Sequence, residues 1–369
     1  MTLIPLRLGL QQRVLPEYRV SLFDTLADTC RDGLGVFAGE PQPIEAIDTS
    51  AKLIRAVRFH ANNVHVFRGR GYFCLQPNIV QWLNEWQPDA LIVEANTRYL
   101  STPSAVEWMH RHRRPVIGWG LGAPESNLVE STLRSRFLKS LDAIVAYSRT
   151  GAEQYAAAGN DPERVFVAAN AVTFRPKGPA PIRVPAFKGG QPCILFVGRL
   201  QERKRVEILL QACAALPPEI APRLVIVGDG PDRARLEDIA LKVYPNAEFT
   251  GAKHGGQLDV YYQTADIFVL PGTGGLAIQQ AMAHGLPVIV GEADGTQGEL
   301  VSTLNGWLLE QADAQALTRV LLDALYDVPR LRSMGLESFR IVAEEVNIEH
   351  MVEVFASAVE FAVSHPRGY

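Results

Sequence analysis

At 369 residues the chain is longer than one ordinary folding domain, and about 150 residues per domain predicts two of them. Hydrophobic residues make up 47% of the chain and charged residues 21%, a balance that excludes disordered and fibrous proteins and allows large buried cores. The 36 basic and 40 acidic side chains give a net charge of -4, which excludes a protein that coats nucleic acid by charge alone.

Short apolar runs rich in β-branched residues recur along the whole chain. In chain order they are LIPLRLGL, ALIVEAN, PVIGWG, AIVAYS, VFVAAN, CILFVG, LVIVG, IFVLP and PVIVG. Runs of this kind, without alternation of polar residues, are typical of strands buried on both faces of a parallel sheet. Amphipathic segments of helical length lie between them, among them EYRVSLFDTLADTC and RVEILLQACAAL. This βαβα order predicts a doubly wound α/β fold.

A segment rich in proline, glycine and charge divides the chain. Residues 174–191, FRPKGPAPIRVPAFKGGQ, have neither helical nor strand periodicity, so we predict an exposed linker there. This boundary predicts an N-terminal domain over residues 1–175 and a C-terminal domain over residues 191–345. Residues 346–369 form a predicted helix with an apolar face, and a crossing of this helix back to the N-terminal domain is left open.

The sequence also predicts where the protein resides. No run approaches 18 apolar residues, the N-terminus MTLIPLRLGLQQR is too interrupted for a signal peptide, and the four cysteines lie far apart in mostly apolar runs. We therefore expect a cytoplasmic protein with buried thiols, whose membrane contact, if any, is peripheral at the inner face. The candidate for such contact is the basic run His110–Arg114 beside Trp108, which could bind anionic headgroups or simply end a helix whose dipole favours cations.

Glycine turns follow three predicted strands of the second half. Gly198 and Arg199 follow CILFV with Lys204 close behind, residues 228–231 follow LVIV, and residues 271–275 follow IFVL. Carboxyl ends of parallel strands meet at one edge, and bare amides at a helix N-terminus complement a phosphate. Any one turn is explained by the needs of a βα loop, but the three together predict a nucleotide site. Neither the dinucleotide fingerprint nor a P-loop tripeptide is present.

These motifs resemble the donor domain of family 4 glycosyltransferases of the GT-B fold. The series is FVGRLQERKR, VIVGDGP, AEFTG, YYQTADIFVLPG and GGLAIQQAMAHGLPVIV, within residues 191–325. RVLPEYRVSLFDTLA, AIVAYSRTGAEQYAAAG and VFVAANAV resemble the same family in the first half. The resemblance implies two doubly wound Rossmann-like domains facing a cleft, of which the N-terminal one binds the acceptor and the C-terminal one the nucleotide-sugar donor.

The resemblance implies roles for individual donor-side residues. Arg199 and Lys204 match the basic pair that neutralises the departing diphosphate without a metal, and fixed charges at a developing charge are effective catalysts. The backbone amides of Gly275 and Leu276 match those that meet the distal phosphate at a helix N-terminus. Gly251, Ala252 and Lys253 match the loop that reads the base, and Gln280 matches the position that binds the ribose. The remaining donor-side residues are glycines that allow the backbone to approach the ligand: Gly198, Gly228 and Gly274.

Three positions depart from the residues that this family usually carries. Relatives commonly have two glutamates, eight positions apart, where this sequence has Gly272 and Gln280, and many have a histidine where Leu121 stands. Contact with the hydroxyl groups of the donor sugar must then come from Thr273 or from backbone, or be absent. Glu299 after PVIVG is a further candidate, although a glutamate that opens a helix explains it equally well.

Acceptor-side candidates follow the strands of the first half, and each also has an ordinary structural explanation as a first-turn charge, a loop hydrogen bond or a core aromatic. They are Arg13, Tyr18, Arg19, Asn96, Arg98 and Trp119. No D-x-D triplet occurs, and the 8 histidines show no ligand spacing, so we expect neither a metal nor another cofactor.

The resemblance therefore implies a metal-independent, retaining transferase of polysaccharide biosynthesis. It would move a hexose from a nucleoside diphosphate sugar, with a UDP-sugar favoured, to a glycan or lipid-linked acceptor, and no nucleic acid partner is expected. Two alternatives stay open. One is a sugar-nucleotide-binding protein of low turnover, and the other is a non-hydrolysing UDP-sugar epimerase, which would need titratable acid and base groups near the sugar.

Overall fold

A computed structural model describes residues 3–45, 47–49, 52–67, 69–123, 128–291, 296–311 and 313–367. The strands are β1 Leu8–Val14, β2 Leu34–Gly39, β3 Val57–His60, β4 Val64–Val66, β5 Phe73–Leu75, β6 Ala90–Glu94, β7 Val116–Gly120, β8 Ala143–Ala146, β9 Val165–Val167, β10 Cys193–Val197, β11 Arg223–Val227, β12 Glu248–Phe249, β13 Ile267–Leu270, β14 Val288–Gly291 and β15 Gly306–Leu309. The helices are α1 Val20–Thr29, α2 Ile79–Trp86, α3 Thr102–Arg111, α4 Leu128–Lys139, α5 Arg149–Ala157, α6 Val206–Ala214, α7 Arg233–Val243, α8 Gly256–Thr264, α9 Leu276–Ala283, α10 Thr296–Leu300, α11 Ala314–Tyr326, α12 Val328–Glu344 and α13 Ile348–Ser364.

The chain divides into two units, each built on a parallel sheet. Unit 1 comprises Met1–Phe174 with Ile348–Tyr369, and unit 2 comprises Arg175–Asn347. Within the described residues the sheet of unit 1 has the order β3-β2-β1-β6-β7-β8-β9, and that of unit 2 the order β12-β11-β10-β13-β14-β15. Every described pair in these two sheets is parallel. The predicted doubly wound α/β fold is confirmed.

The central strands are buried because their side chains are apolar on both faces. All residues of β8, β10, β13 and β14 are buried, as unalternating runs predict. Side-chain oxygens cap the N-termini of several helices that lie between the strands: Ser148 accepts from the Gly151 amide, and Asp313 accepts from the Ala316 amide. The four cysteines are buried free thiols. In the described part of the chain, no helix combines the length and the apolar character needed to cross a membrane.

Helix α13 belongs to unit 1, although it follows unit 2 in the sequence. It packs on β7, β8, β9 and α1, and the rings of Phe355 and Trp119 form a T-shaped pair with centroids 5.1 Å apart. Its buried positions recur at helical spacing and form the apolar face that packs on these elements.

The predicted linker over residues 174–191 has little regular structure but is fixed to unit 2. Its Ile182 is exposed, whereas the guanidinium of the adjacent Arg183 is largely buried. That guanidinium donates to four backbone carbonyls of unit 2, those of Tyr262, Ala265, His284 and Gly285. Arg332 donates to the Val184 carbonyl at 2.9 Å and forms an ion pair with Asp266 at 2.7 Å. The segment is therefore anchored along part of its length and is not a free tether.

Candidate functional site

The turns after β10 and β11 meet at the carboxyl edge of the unit 2 sheet. The Gly198 amide donates to the Val227 carbonyl at 3.0 Å, and the Gly228 amide donates to the Gly251 carbonyl at 3.0 Å. A cavity of about 470 Å³ lies at this edge. Its lining residues are Val197, Gly198, Arg199, Val227, Gly228, Asp229, Gly230, Ala252, Lys253 and His254. Three of the loops selected from the sequence thus line one cavity.

Gly228 is required by the close approach of these two turns. Its φ is +148°, which side chains of L-residues rarely adopt. A Cβ at this position would lie only 1.9 Å from the Gly198 carbonyl oxygen. The contact between the two turns that frame the cavity therefore exists because residue 228 has no side chain.

Lys204 places a buried cation at the same sheet edge. It ends the 3₁₀ turn Glu202–Lys204 before α6, and only 8% of it is exposed. Its Nζ donates to the Thr273 carbonyl at 2.5 Å. Burial, and to a lesser extent the charge of Arg203, lowers the pKa of Lys204 to about 8. The ammonium is therefore mostly protonated at neutral pH and lies against the turn that precedes α9.

That turn, residues 272–275, is shaped by backbone contacts that exclude side chains. A Cβ on Gly274, where φ is +148°, would lie 2.2 Å from Lys204 Nζ. A Cβ on Gly272 would lie 2.1 Å from the Arg203 carbonyl oxygen. The position at which relatives carry a glutamate thus has no room for a side chain in this conformation. Thr273 accepts at its hydroxyl from Arg203 Nη1 at 2.9 Å.

Helix α9 begins at Leu276, directly after this turn. Its first backbone amides therefore lie beside Thr273, whose carbonyl accepts from the Lys204 ammonium. Gln280 lies one turn into the helix and is partly exposed. Its side-chain oxygen accepts from the Tyr262 hydroxyl at 3.1 Å. Gln280 is therefore held in place by a neighbouring helix, α8, rather than lying free on the helix surface.

The structure reveals a further residue at this turn that our reading of the sequence did not select. Gln297 in α10 is buried, and its amide bridges the Gly272 carbonyl and the Gly274 amide, with both distances 3.4 Å. Glu299, the candidate that we did select from this segment, is exposed on the same helix. The only sequence signal for Gln297 is a polar residue shortly after a strand end, which is too common to single it out.

Several acceptor-side candidates lie at the carboxyl edge of the unit 1 sheet. The Arg13 guanidinium forms an ion pair with Glu45 at 2.8 Å, and its backbone amide donates to Glu94 at 2.5 Å. Arg98 is exposed in the loop after β6, where its amide donates to the Asn96 side chain at 3.0 Å. These residues end or follow the neighbouring strands β1 and β6, so the structure brings them to one edge.

The remaining three candidates form a stack of a cation and aromatic rings. Arg19 is 4% exposed, and its guanidinium lies 4.4 Å from the centroid of the Trp119 ring and 5.4 Å from that of Tyr18. Trp119 is 1% exposed and also packs against Phe355. Trp119 is thus a core aromatic with no surface for a ligand, whereas Tyr18 is exposed. Leu121, at the usual histidine position, is exposed too.

Glu94, like Gln297, is a residue that was not selected from the sequence. Burial raises the pKa of its carboxyl group to about 7, against the opposing effects of the Arg13 amide and of the Arg13 and Arg19 charges. The sequence showed only a glutamate that ends an apolar strand. Its partners come from a strand about eighty positions earlier in the chain, which only the fold brings close.

We expect Glu94 to make stability depend on pH. Between about pH 4.5 and 7 the folded protein keeps a proton that the unfolded chain has released, so stability should fall as pH rises through this window. Relative to Glu94→Gln, which stays neutral and still accepts from the Arg13 amide, the wild type should lose about 2 to 3 kcal/mol of unfolding free energy between pH 5 and 8. Urea denaturation of both proteins at the two pH values measures this loss. Parallel pH profiles for the two proteins would contradict the raised pKa.

The basic run His110–Arg114 lies at the end of a helix, in agreement with the interpretation that the helix dipole favours its cations. Helix α3 ends at Arg111, and both Arg111 and Arg113 are exposed. His112 stacks on Trp108 with ring centroids 4.0 Å apart, and Arg114 donates to the Gln87 side chain at 3.0 Å. Part of the run is therefore engaged in packing, and the rest faces solvent.

Comparison with known sequences agrees with the donor-domain motifs. Residues 181–338 match the family model described as Glycosyl transferases group 1. The GDP-mannose-dependent alpha-mannosyltransferase of Mycolicibacterium smegmatis is 36% identical over 166 residues, 42% of this chain and 42% of that protein. The putative colanic acid biosynthesis glycosyltransferase WcaL of Salmonella typhimurium is 27% identical over 233 residues, 59% of this chain and 56% of WcaL. The chain thus spans about half the length, or less, of these two relatives.

Solved structures resemble the whole chain. The crystal structure of Anabaena Alr3699/HepE in complex with UDP superposes with a TM-score of 0.69 at 16% identity, covering 98% of this chain and 100% of that one. Sucrose-phosphate synthase from Thermosynechococcus elongatus has a TM-score of 0.68 at 19% identity, covering 97% of this chain and 99% of that one. At such identities the likeness is one of fold. Residues 181–338 therefore match the group 1 glycosyl transferases, and the chain has the GT-B fold that its motifs predicted.

Proposed function

We propose that the protein is a glycosyltransferase that takes a hexose from a nucleoside diphosphate sugar and passes it to a hydroxyl group of a glycan or lipid-linked acceptor. One observation carries the proposal: the Lys204 ammonium is buried against the turn 272–275, directly before the N-terminus of α9. A cation and a helix N-terminus both favour an anion, and together they form a site for a diphosphate. The family match of the same residues supports a diphosphate sugar as that anion.

In this proposal each part of the donor has its own contact in unit 2. Lys204 and Arg199 take the diphosphate, and the amides of Gly275 and Leu276 take its distal phosphate. The nucleoside occupies the cavity beside Ala252 and Lys253, the ribose meets Gln280, and the sugar lies toward Thr273, with Glu299 as an additional contact. Charge that develops on the departing phosphate then faces fixed cations and amides, which lowers the barrier without a metal or another cofactor.

The base of the donor and the stereochemistry are finer parts of the proposal. The family resemblance favours UDP, and the Alr3699/HepE structure holds UDP, whereas the mannosyltransferase relative is named for GDP-mannose. We therefore propose a UDP- or GDP-hexose as donor. Retention at the anomeric carbon is supported by the family resemblance alone, and the absence of a carboxylate at Gly272 does not conflict with it.

The acceptor is proposed to bind at the carboxyl edge of unit 1. Arg13, Tyr18, Asn96 and Arg98 reach this edge, and Arg19 contributes its charge from below the surface. The exposed arginines of the run that ends α3 support peripheral contact with anionic lipid at the inner face of the membrane, where a lipid-linked acceptor would lie.

A thermal-shift panel of UDP, GDP, ADP and CMP tests the donor assignment. UDP or GDP should raise the melting temperature in the presence of EDTA, because a ligand that binds only the folded state stabilises it by RT ln(1 + [L]/Kd). If no nucleoside diphosphate stabilises the protein, the proposed function is wrong. If EDTA abolishes the effect, the metal-free part is wrong.

Turnover separates the transferase from its two alternatives. UDP-glucose and GDP-mannose are incubated with and without a panel of glycan acceptors. A transferase releases the nucleotide and forms a glycoside that needs the acceptor, whereas an epimerase changes the donor sugar when no acceptor is present. Nucleotide binding without either reaction would leave the low-turnover binding protein, an alternative favoured by the missing side chain at Gly272.

We expect affinity for the nucleoside diphosphate to fall as pH rises above 8. Phosphate oxygens bind only protonated Lys204, so binding must raise its lowered pKa. At pH 9 only about one tenth of the free protein carries the proton, so the apparent Kd should be about tenfold weaker than at pH 7. Calorimetry on the wild type and on Lys204→Ala measures this, since the variant should show a weak affinity that does not change between the two pH values. A flat wild-type profile would contradict the role of the Lys204 charge.

A further inference from the structure

We propose that Gln297 is a positioning residue for the distal phosphate of the donor. Its side-chain amide holds the turn 272–275 in the conformation that presents the backbone amides of Gly275 and Leu276 to that phosphate. The inference rests on the proposed function, because it takes a nucleoside diphosphate as the ligand.

Gln297 is connected to both arms of the turn. Only 1% of the residue is exposed, and a buried amide is costly unless both its donor and its acceptor are paired. Nε2 donates to the Gly272 carbonyl and Oε1 accepts from the Gly274 amide, at 3.4 Å each. One side chain thus bridges the residues on either side of Thr273. Both bonds are long, and we expect them to shorten when a ligand occupies the turn.

The turn needs such support because it has few side chains of its own. Three of its four residues are glycines, which lose more conformational freedom on ordering than any other residue. Lys204 and Arg203 bind Thr273 from one side, at its carbonyl and its hydroxyl. Gln297 supplies the corresponding ties for the residues that flank Thr273. The free protein thereby keeps the turn ordered, so the donor does not have to order it on binding.

The test compares a nucleoside diphosphate with its monophosphate. Gln297→Met keeps nearly the same side-chain length and removes both hydrogen bonds. Affinity for UDP or GDP, whichever the wild type binds more tightly, should fall about tenfold. Affinity for the matching UMP or GMP should stay at the wild-type value, because the monophosphate has no distal phosphate. Calorimetry provides all four constants, and a role limited to folding would not separate the two ligands.

A matched control is available in the other unit. Gln11 in β1 is also 1% exposed and also hydrogen bonded, since its amide donates to the Gln76 side chain at 2.7 Å. Gln11→Met therefore carries the general cost of losing a buried amide, and it should bind both nucleotides like the wild type. If Gln297→Met does not fold, Gln297→Asn keeps an amide that is one methylene shorter, and it should show the same selective loss.

The outcomes keep the inference distinct from the proposed function. A wild type that binds neither UDP nor GDP overturns the proposed function. A wild type that binds one of them, together with a Gln297 variant that binds it equally well, overturns the positioning role. A variant that loses affinity for the diphosphate and the monophosphate alike also overturns it, because the defect then lies outside the distal phosphate.

Discussion

Replacing Lys204 with alanine should lower the turnover of the proposed transferase by roughly 10²- to 10³-fold, the scale for removing one preorganised donor at a developing charge. Lys204 Nζ already lies at the turn before α9, 2.5 Å from the Thr273 carbonyl oxygen. No rearrangement is then needed to place the cation during the reaction. Arg199→Ala should cause a loss on the same scale, since Arg199 lines the cavity at the same edge of the sheet.

The Lys204 variant should stay folded. Because burial lowers the pKa of Lys204 to about 8, the folded state binds this proton more weakly than the unfolded chain does. The wild type should therefore gain stability as pH rises from about 8 to 10.5, and at pH 7 the alanine variant is relieved of a buried charge. The loss of the hydrogen bond to Thr273 acts in the opposite direction.

Initial rates of nucleotide release at saturating donor measure the effect on turnover. Lys242→Ala is the matched control, because it deletes the same side chain from an exposed position in the last turn of α7. It should retain wild-type turnover. Near-normal turnover of Lys204→Ala, with an intact circular dichroism spectrum, would remove Lys204 from the mechanism.

Most of the strands that could be predicted from the sequence are buried and have uninterrupted apolar runs. The runs that we identified correspond to interior strands, among them β6, β7, β10, β13 and β14, and to the edge strand β9. β2 is fully buried too, but two glycines interrupt its sequence, LGVFAG. β3 is mostly exposed at the sheet edge, and β12 has two residues. Their strand character comes from pairing with a neighbour rather than from their own composition.

The same distinction applies to the site. Gly228, Gly274 and Lys204 could be selected because a glycine or a cation just after a strand has a local chemical meaning. Gln297 and Glu94 could not, because their roles depend on partners about 25 and 80 positions away. A buried amide or carboxyl group looks like any other polar residue until the fold shows what it pairs with.

Adding a single methyl group at Gly272 should disrupt both the fold of unit 2 and the proposed site. The Cβ of Gly272→Ala would lie 2.1 Å from the Arg203 carbonyl oxygen and 2.7 Å from Lys204 Cα. Both are backbone atoms, so no rotamer change can relieve the clash. We expect a loss of about 3 kcal/mol of unfolding free energy, at the upper end for overpacking. The relatives' glutamate, which begins with the same Cβ, cannot be restored here by one substitution.

Gly275→Ala is the control for this prediction, because it lies in the same turn and a Cβ there has no neighbour within 4 Å. Its unfolding free energy should stay within about 1 kcal/mol of the wild type. Urea denaturation of the two variants gives the difference, and calorimetry with UDP and GDP shows whether Gly272→Ala still binds a nucleotide. If the Gly272 variant is as stable as the Gly275 variant and binds like the wild type, residues 203–204 do not approach the turn as closely as the structure places them. The missing glutamate would then reflect a difference in chemistry and not a lack of space.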